Sequence, residues 1–148
     1  MSSSSLVLGS KPLLGPLASL SLWTFCIEGL LYYRRTPALA KYNINFDPAL
    51  VKQEKATKLP AFVQWPADNF NNLLEQPTQF YAAVLALTLL EVKDTATTRT
   101  AWGYVGLRVV HSLIHVSVNR VTARFAVWAS SSVVLLGITA RLAVELWG

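Results

Sequence analysis

The chain has 148 residues, of which 53% are hydrophobic and only 14% charged, with a mean hydropathy of +0.39. Soluble domains carry about 25% charged residues, so this composition excludes an ordinary soluble enzyme and leaves room for one membrane domain with no separate soluble one. The formal net charge of +5 is not a nucleic-acid signal, because the basic residues sit in loops and at the ends of apolar runs, where membrane topology places them.

Residues 1–10 are serine-rich and lack a basic leading region, and the apolar run that follows is too long for a signal-peptide core. That run reads as a retained first span over about 13–33. It closes on Tyr32-Tyr33-Arg34-Arg35, an aromatic pair and then an arginine pair, as a helix does on leaving the bilayer toward the cytoplasm. Cys26 lies inside the span and reads as a small buried hydrophobe. Glu28, Tyr32 and Arg35 share a face, so the carboxylate is expected to pair with a nearby base.

Four prolines and four lysines punctuate residues 36–66, and a cytoplasmic loop over about 34–68 is expected, with a short helix near 49–57. The clean apolar run 80–90 is too short to cross, because crossing takes about 20 residues. A second span over about 72–92 has the length, at the cost of taking Asn72, Glu75 and Gln79 into the bilayer. Asp68, Asn72, Glu75 and Gln79 fall on one helical stripe, and Pro77 frees the carbonyl of Leu73.

A third span over about 101–118 carries Arg108, His111 and His115 on one face with Ser112 beside them, and a fourth covers about 123–147. Arg141 and Glu145 in the fourth are one helical turn apart and form an expected ion pair. The loop after the first span and the turn between the third and fourth hold most of the Lys and Arg, so both termini are expected outside or in a lumen. The fold class is therefore an all-α polytopic membrane protein, a four-transmembrane-helix bundle.

Ionisable groups at bilayer depth mark functional sites. Arg108, His111, His115, Arg120 and Arg124, with Asn72 and Glu75 facing them, would suit a small anionic or zwitterionic ligand. Arginine forks match carboxylates, and a cation at a helix start lowers a thiol's pKa. Structural alternatives stand beside this: Arg108 and Glu75 as a mutual ion pair, and Arg120 and Arg124 as interfacial anchors. His111 and His115 lie one turn apart, as metal-binding pairs do, but no third ligand is placed to complete a site, so no metal is expected.

Asn72-Leu-Leu-Glu75 with Pro77 and Phe80 resembles the second-helix motif of the MAPEG family, membrane-associated proteins in eicosanoid and glutathione metabolism. Arg108-Val-Val-His111-Ser-Leu-Ile-His115, with Arg120 and Arg124 after it, resembles the third-helix region of a prostaglandin-forming member at the same spacing. The resemblance implies a homotrimer that binds glutathione as co-substrate between subunits, near the cytoplasmic side. It also implies that Asn72 and Glu75 contact the peptide, Arg108 and His111 line or brace the site, and Arg124 stabilises the thiolate. Arg34 or Arg35 would be the first-helix glutathione-binding arginine. Three positions depart from the family pattern: Asp68 replaces an arginine, His115 a tyrosine, and Phe125 a residue with a hydroxyl.

Two functions follow. One is a glutathione-dependent transferase or peroxidase whose lipophilic substrate enters from the bilayer. The other is a non-catalytic relative that binds a different small ligand or serves as a scaffold. Asp68 favours the second, while Arg124 with Asn72 and Glu75 favours the first.

Overall fold

The computed structural model describes residues 11–148, so the reading of the serine-rich stretch 1–10 lies outside the described residues. Helices run over Leu14–Lys41 (α1), Val51–Lys58 (α2), Ala61–Glu75 (α3), Pro77–Leu89 (α4), Thr95–Ser117 (α5) and Val121–Trp147 (α6), and the described residues contain no strand. Gln76 alone separates α3 from α4, and its helical backbone (φ −61°, ψ −37°) makes them one rod interrupted at Pro77.

Residues 34–68 are mostly helical rather than a loop. α1 continues past the arginine pair to Lys41, α2 falls where the short helix was expected, and α3 starts at Ala61. Ala38, Ile44, Leu59 and Val63 form a small separate core that fastens these pieces together.

Proline is tolerated inside α3 because another helix supplies a donor. Pro66 has no N–H for the carbonyl of Phe62, and Arg34 Nη1 donates to that oxygen at 3.2 Å. The same nitrogen donates at 2.9 Å to the carbonyl of Val116, one of the orphans in the last turn of α5. Arg34 therefore ties α1, α3 and α5 together.

The core is apolar, but large apolar side chains also cover the outside and an arginine is buried within. Val133 and Leu136 on α6 are 70% and 68% exposed, whereas Arg108 is 0% exposed. α1 and α6 are long and apolar enough to cross a membrane, and α6, at about 1.5 Å per residue, exceeds the thickness of a hydrocarbon core. In lipid the exposed leucines and valines gain nothing by moving inward, so packing and hydrogen bonds hold such helices together. Phe80 of α4 stacks on Tyr104 of α5 with centroids 4.5 Å apart, a pair worth about 0.5–1.5 kcal/mol beyond its area.

The connection between α4 and α5 offers two stability tests. Glu91 holds a left-handed backbone (φ 59°) so that the Val92 N–H can reach the Leu87 carbonyl at 3.0 Å. A side chain is strained there and glycine is not, so Glu91→Gly is expected to raise stability by about 0.5–1 kcal/mol in thermal unfolding. Asp94 caps α5, accepting from the Thr97 N–H at 2.7 Å and from the Thr97 hydroxyl at 2.8 Å. These bonds, the backbone one foremost, hold its carboxyl below the ordinary range, with Arg141 a smaller influence. A depressed folded-state pKa gives stability that is complete above the unfolded value and lost as pH falls. Asp94→Ala should cost about 1 kcal/mol at neutral pH, and the gap from wild type should close as pH drops below about 4.

Candidate functional site

The Arg34 and Arg108 bonds fix the register of α3 against α5. Phe62 lies level with Val116 and Asn72 with Arg108, so the two helices are antiparallel. At the Asn72 level, Arg108 Nη2 donates to the Asn72 carbonyl at 2.8 Å and to its side-chain oxygen at 2.7 Å. Sequence reasoning placed a freed carbonyl at Leu73, and the guanidinium engages the one before it, next to the Pro77 interruption. Arginine only donates, so the oxygen of the Asn72 amide faces it and the amide NH₂ is left for another partner.

One turn toward the start of α3, Asn69 is fully buried, and neither its amide nitrogen nor its oxygen has a partner. Arg108 Nε and Nη1, Ser112 Oγ and His111 Nε2 are likewise buried without partners. The seam between α3 and α5 is thus polar and rich in donors.

The seam continues onto the first turn of α6. His111 Nδ1 lies 3.0 Å from the Arg124 carbonyl, which can only accept, so the proton is on Nδ1. Arg124 Nη1 donates to His115 Nε2 at 2.8 Å and to Asn119 Oδ1 at 2.6 Å. His115 therefore presents a lone pair at Nε2 and carries its proton on Nδ1. Asn119 can serve here because it adopts a left-handed backbone (φ 47°), a conformation asparagine accepts readily, at the end of α5.

Asn72, Arg108, His111, His115 and Arg124 thus form one connected seam. Arg120 is exposed and outside it. Glu75 is exposed and forms no ion pair with Arg108, and Glu28 pairs with no base; among the described residues the ion pairs are Lys58–Glu54 and those of Arg141 with Asp94 and Glu145. The Arg141–Glu145 pair matches the sequence reading. Arg35 lies in a different cleft, of about 820 Å³, shared with Lys52, Lys55 and Asp68, where Gln64 holds its guanidinium at 2.7 Å. No group of three metal-ligating side chains occurs among the described residues.

Asn69, Asn119 and the stapling role of Arg34 were missed from the sequence. Asn69 was discoverable, since it sits one turn from Asn72 on the same face. Asn119, just after the third span, carried the signature of a helix-ending residue.

Exposed apolar helix faces around an interior that buries the uncompensated guanidinium of Arg108 define an integral membrane protein of helices with a cationic, donor-rich seam. The chain belongs to the MAPEG family, whose profile matches residues 13–144, nearly the whole described length. Members of this family act in eicosanoid and glutathione metabolism and commonly use glutathione. No curated protein and no solved structure matches the chain.

Proposed function

We propose that the protein is a glutathione-dependent membrane transferase or peroxidase acting on lipophilic electrophiles. The observation that carries this reading is Arg124. Neutral acceptors on His115 and Asn119 hold its guanidinium at one nitrogen, no carboxylate neutralises it, and it is only half-buried. A cation fixed in this way can accept a thiolate, and forming that thiolate is the step such a charge assists. Asn72 offers its amide NH₂ to the peptide, Arg108 and His111 brace it, and His115 orients Arg124. Glu75, Arg120 and Arg35 complete the site from a neighbouring copy or on ligand binding.

In this reading α1, the α3–α4 rod, α5 and α6 are four spans of a homotrimer, in an endoplasmic reticulum or bacterial inner membrane. Both termini lie on the lumenal or outer side, and the basic end carrying Arg34, Arg35, Arg120 and Arg124 faces the cytoplasm, as the positive-inside rule requires. The electrophile arrives through the bilayer, whose lipid meets the exposed apolar faces.

One observation favours the non-catalytic alternative, a relative that binds another small ligand or serves as a scaffold. Asp68 is exposed in the cleft that contains Arg35, where it repels a peptide carboxylate. Calorimetry with glutathione on the detergent-purified protein, with thiolate absorbance followed in the same sample, decides between the two. The enzyme reading expects binding with a thiolate signal, and Asp68→Arg is expected to tighten that binding by about tenfold, the worth of one favourable charge contact. A folded protein that ignores millimolar glutathione in both forms would exclude the enzyme.

A further inference from the structure

A second polar feature lies where α1 meets α3 and α4, next to the arginine seam, since its Tyr81 is within electrostatic reach of Arg108. A recess of about 220 Å³ opens between α1, α3 and α4. Thr24, Phe25 and Glu28 line it from one face of α1, Phe70 and Leu74 from α3, and Tyr81 from α4. The rod is interrupted at Pro77, between Leu74 and Tyr81, so the break falls within this wall.

Glu28 is half-buried, belongs to an apolar helix and joins none of the ion pairs. It precedes the arginine pair that ends the apolar stretch by six residues, which places it roughly 9 Å deeper along the helix. A carboxylate at that depth with no counter-charge is costly, and such groups mark ligand or ion sites. Its surroundings narrow the choice. A single carboxylate does not hold a metal ion, and an anion would be repelled. Three aromatic side chains around one acid suit an organic cation, because ring faces attract ammonium groups and the acid supplies the opposite charge.

We propose that this recess binds the ammonium head of a lipophilic amine, with Glu28 as counter-ion, Phe70 and Tyr81 as its aromatic walls and the exposed Phe25 at its mouth. The volume admits an ammonium head with a few carbons, and the remaining tail lies along the exposed apolar surface of α1, where Leu22 and Phe25 are both 67% exposed. The site is independent of glutathione binding, so it stands or falls apart from the transferase reading.

The test uses the full chain in nonionic detergent and two probes that share a dansyl-labelled undecyl tail, one ending in trimethylammonium and the other in a hydroxyl. Binding is read by energy transfer from the protein's tryptophans. Wild type is expected to prefer the ammonium probe by at least about tenfold. Glu28→Gln should erase that preference while leaving the alcohol unchanged, and Phe70→Leu should weaken the ammonium several-fold. Equal binding of the two probes to wild type would overturn the proposal, and so would a preference that survives Glu28→Gln. If Glu28→Gln fails to fold, the wild-type comparison and Phe70→Leu still decide. An assembly that dissociates in Glu28→Gln, read by native mass spectrometry, combined with wild-type indifference to ammonium, would assign the carboxylate to a contact between copies and also overturn it.

Discussion

Arg124→Ala is expected to lower glutathione conjugation by about 10²–10³-fold, the usual cost of removing one preorganised group that stabilises a developing anion. Its thiolate signal should vanish with the activity. The loss should be confined to chemistry, because Arg124 sits on the first turn of α6 with a half-exposed side chain and holds no other helix by an ion pair. What the substitution removes locally is one donor to His115 Nε2 and one to Asn119 Oδ1, and water reaches both groups once the side chain is gone. Arg124→Lys keeps the charge but not the fork, so it should retain part of the thiolate signal while losing the alignment imposed by His115 and Asn119. Activity and thiolate absorbance are measured beside the oligomeric state. Equal loss of assembly and activity would make Arg124 a structural residue.

The second large effect is on stability. Asn72→Leu should cost about 2–3 kcal/mol, because it takes a 2.7 Å charge-assisted bond from a guanidinium that is fully buried and already has two unpartnered nitrogens. Arg108→Met leaves the Asn72 carbonyl and amide oxygen without this donor and should cost a similar amount. The double variant is expected to lose clearly less than the sum of the two singles. Half of a buried polar pair is more harmful than neither half, and an apolar replacement of both side chains removes the buried guanidinium and the amide, leaving only the residue 72 backbone carbonyl without this donor. Additive losses in thermal or denaturant unfolding would mean that Asn72 and Arg108 do not act as a pair. Neither single variant should remove the thiolate signal outright, because Arg124 is untouched by both.

The stripe on α5 was legible in the sequence because helical spacing alone puts Arg108, His111 and His115 on one face, and a buried face is where polar groups cost most in a membrane. The choice of partner for Arg108 was not legible. Spacing set both Asn72 and Glu75 opposite the stripe, and the antiparallel register of α3 on α5 presents Asn72 and its backbone oxygen to the guanidinium, with no ion pair to Glu75. Residues 34–68 were misread for a related reason. Pro37, Pro60, Pro66 and the lysines carry a loop's composition, yet Pro60 caps α3 from outside and Pro66 is rescued by Arg34, which is 32 residues earlier in the chain. A donor that far away leaves no local trace. Ile44, Leu59 and Val63 are too scattered in sequence to announce the small core they build.

The guanidinium staples set an order for biogenesis. As the chain leaves the ribosome, Arg34 is already in place when α3 arrives, so the Phe62 carbonyl finds its donor at once. The Asn72 oxygens beside the Pro77 break depend on Arg108, which is made 36 residues later. Until α5 is made, the middle rod lacks that donor. If the four-span reading holds, a nascent chain stalled before residue 95 should remain beside the insertion machinery, and its release into lipid should coincide with the emergence of α5.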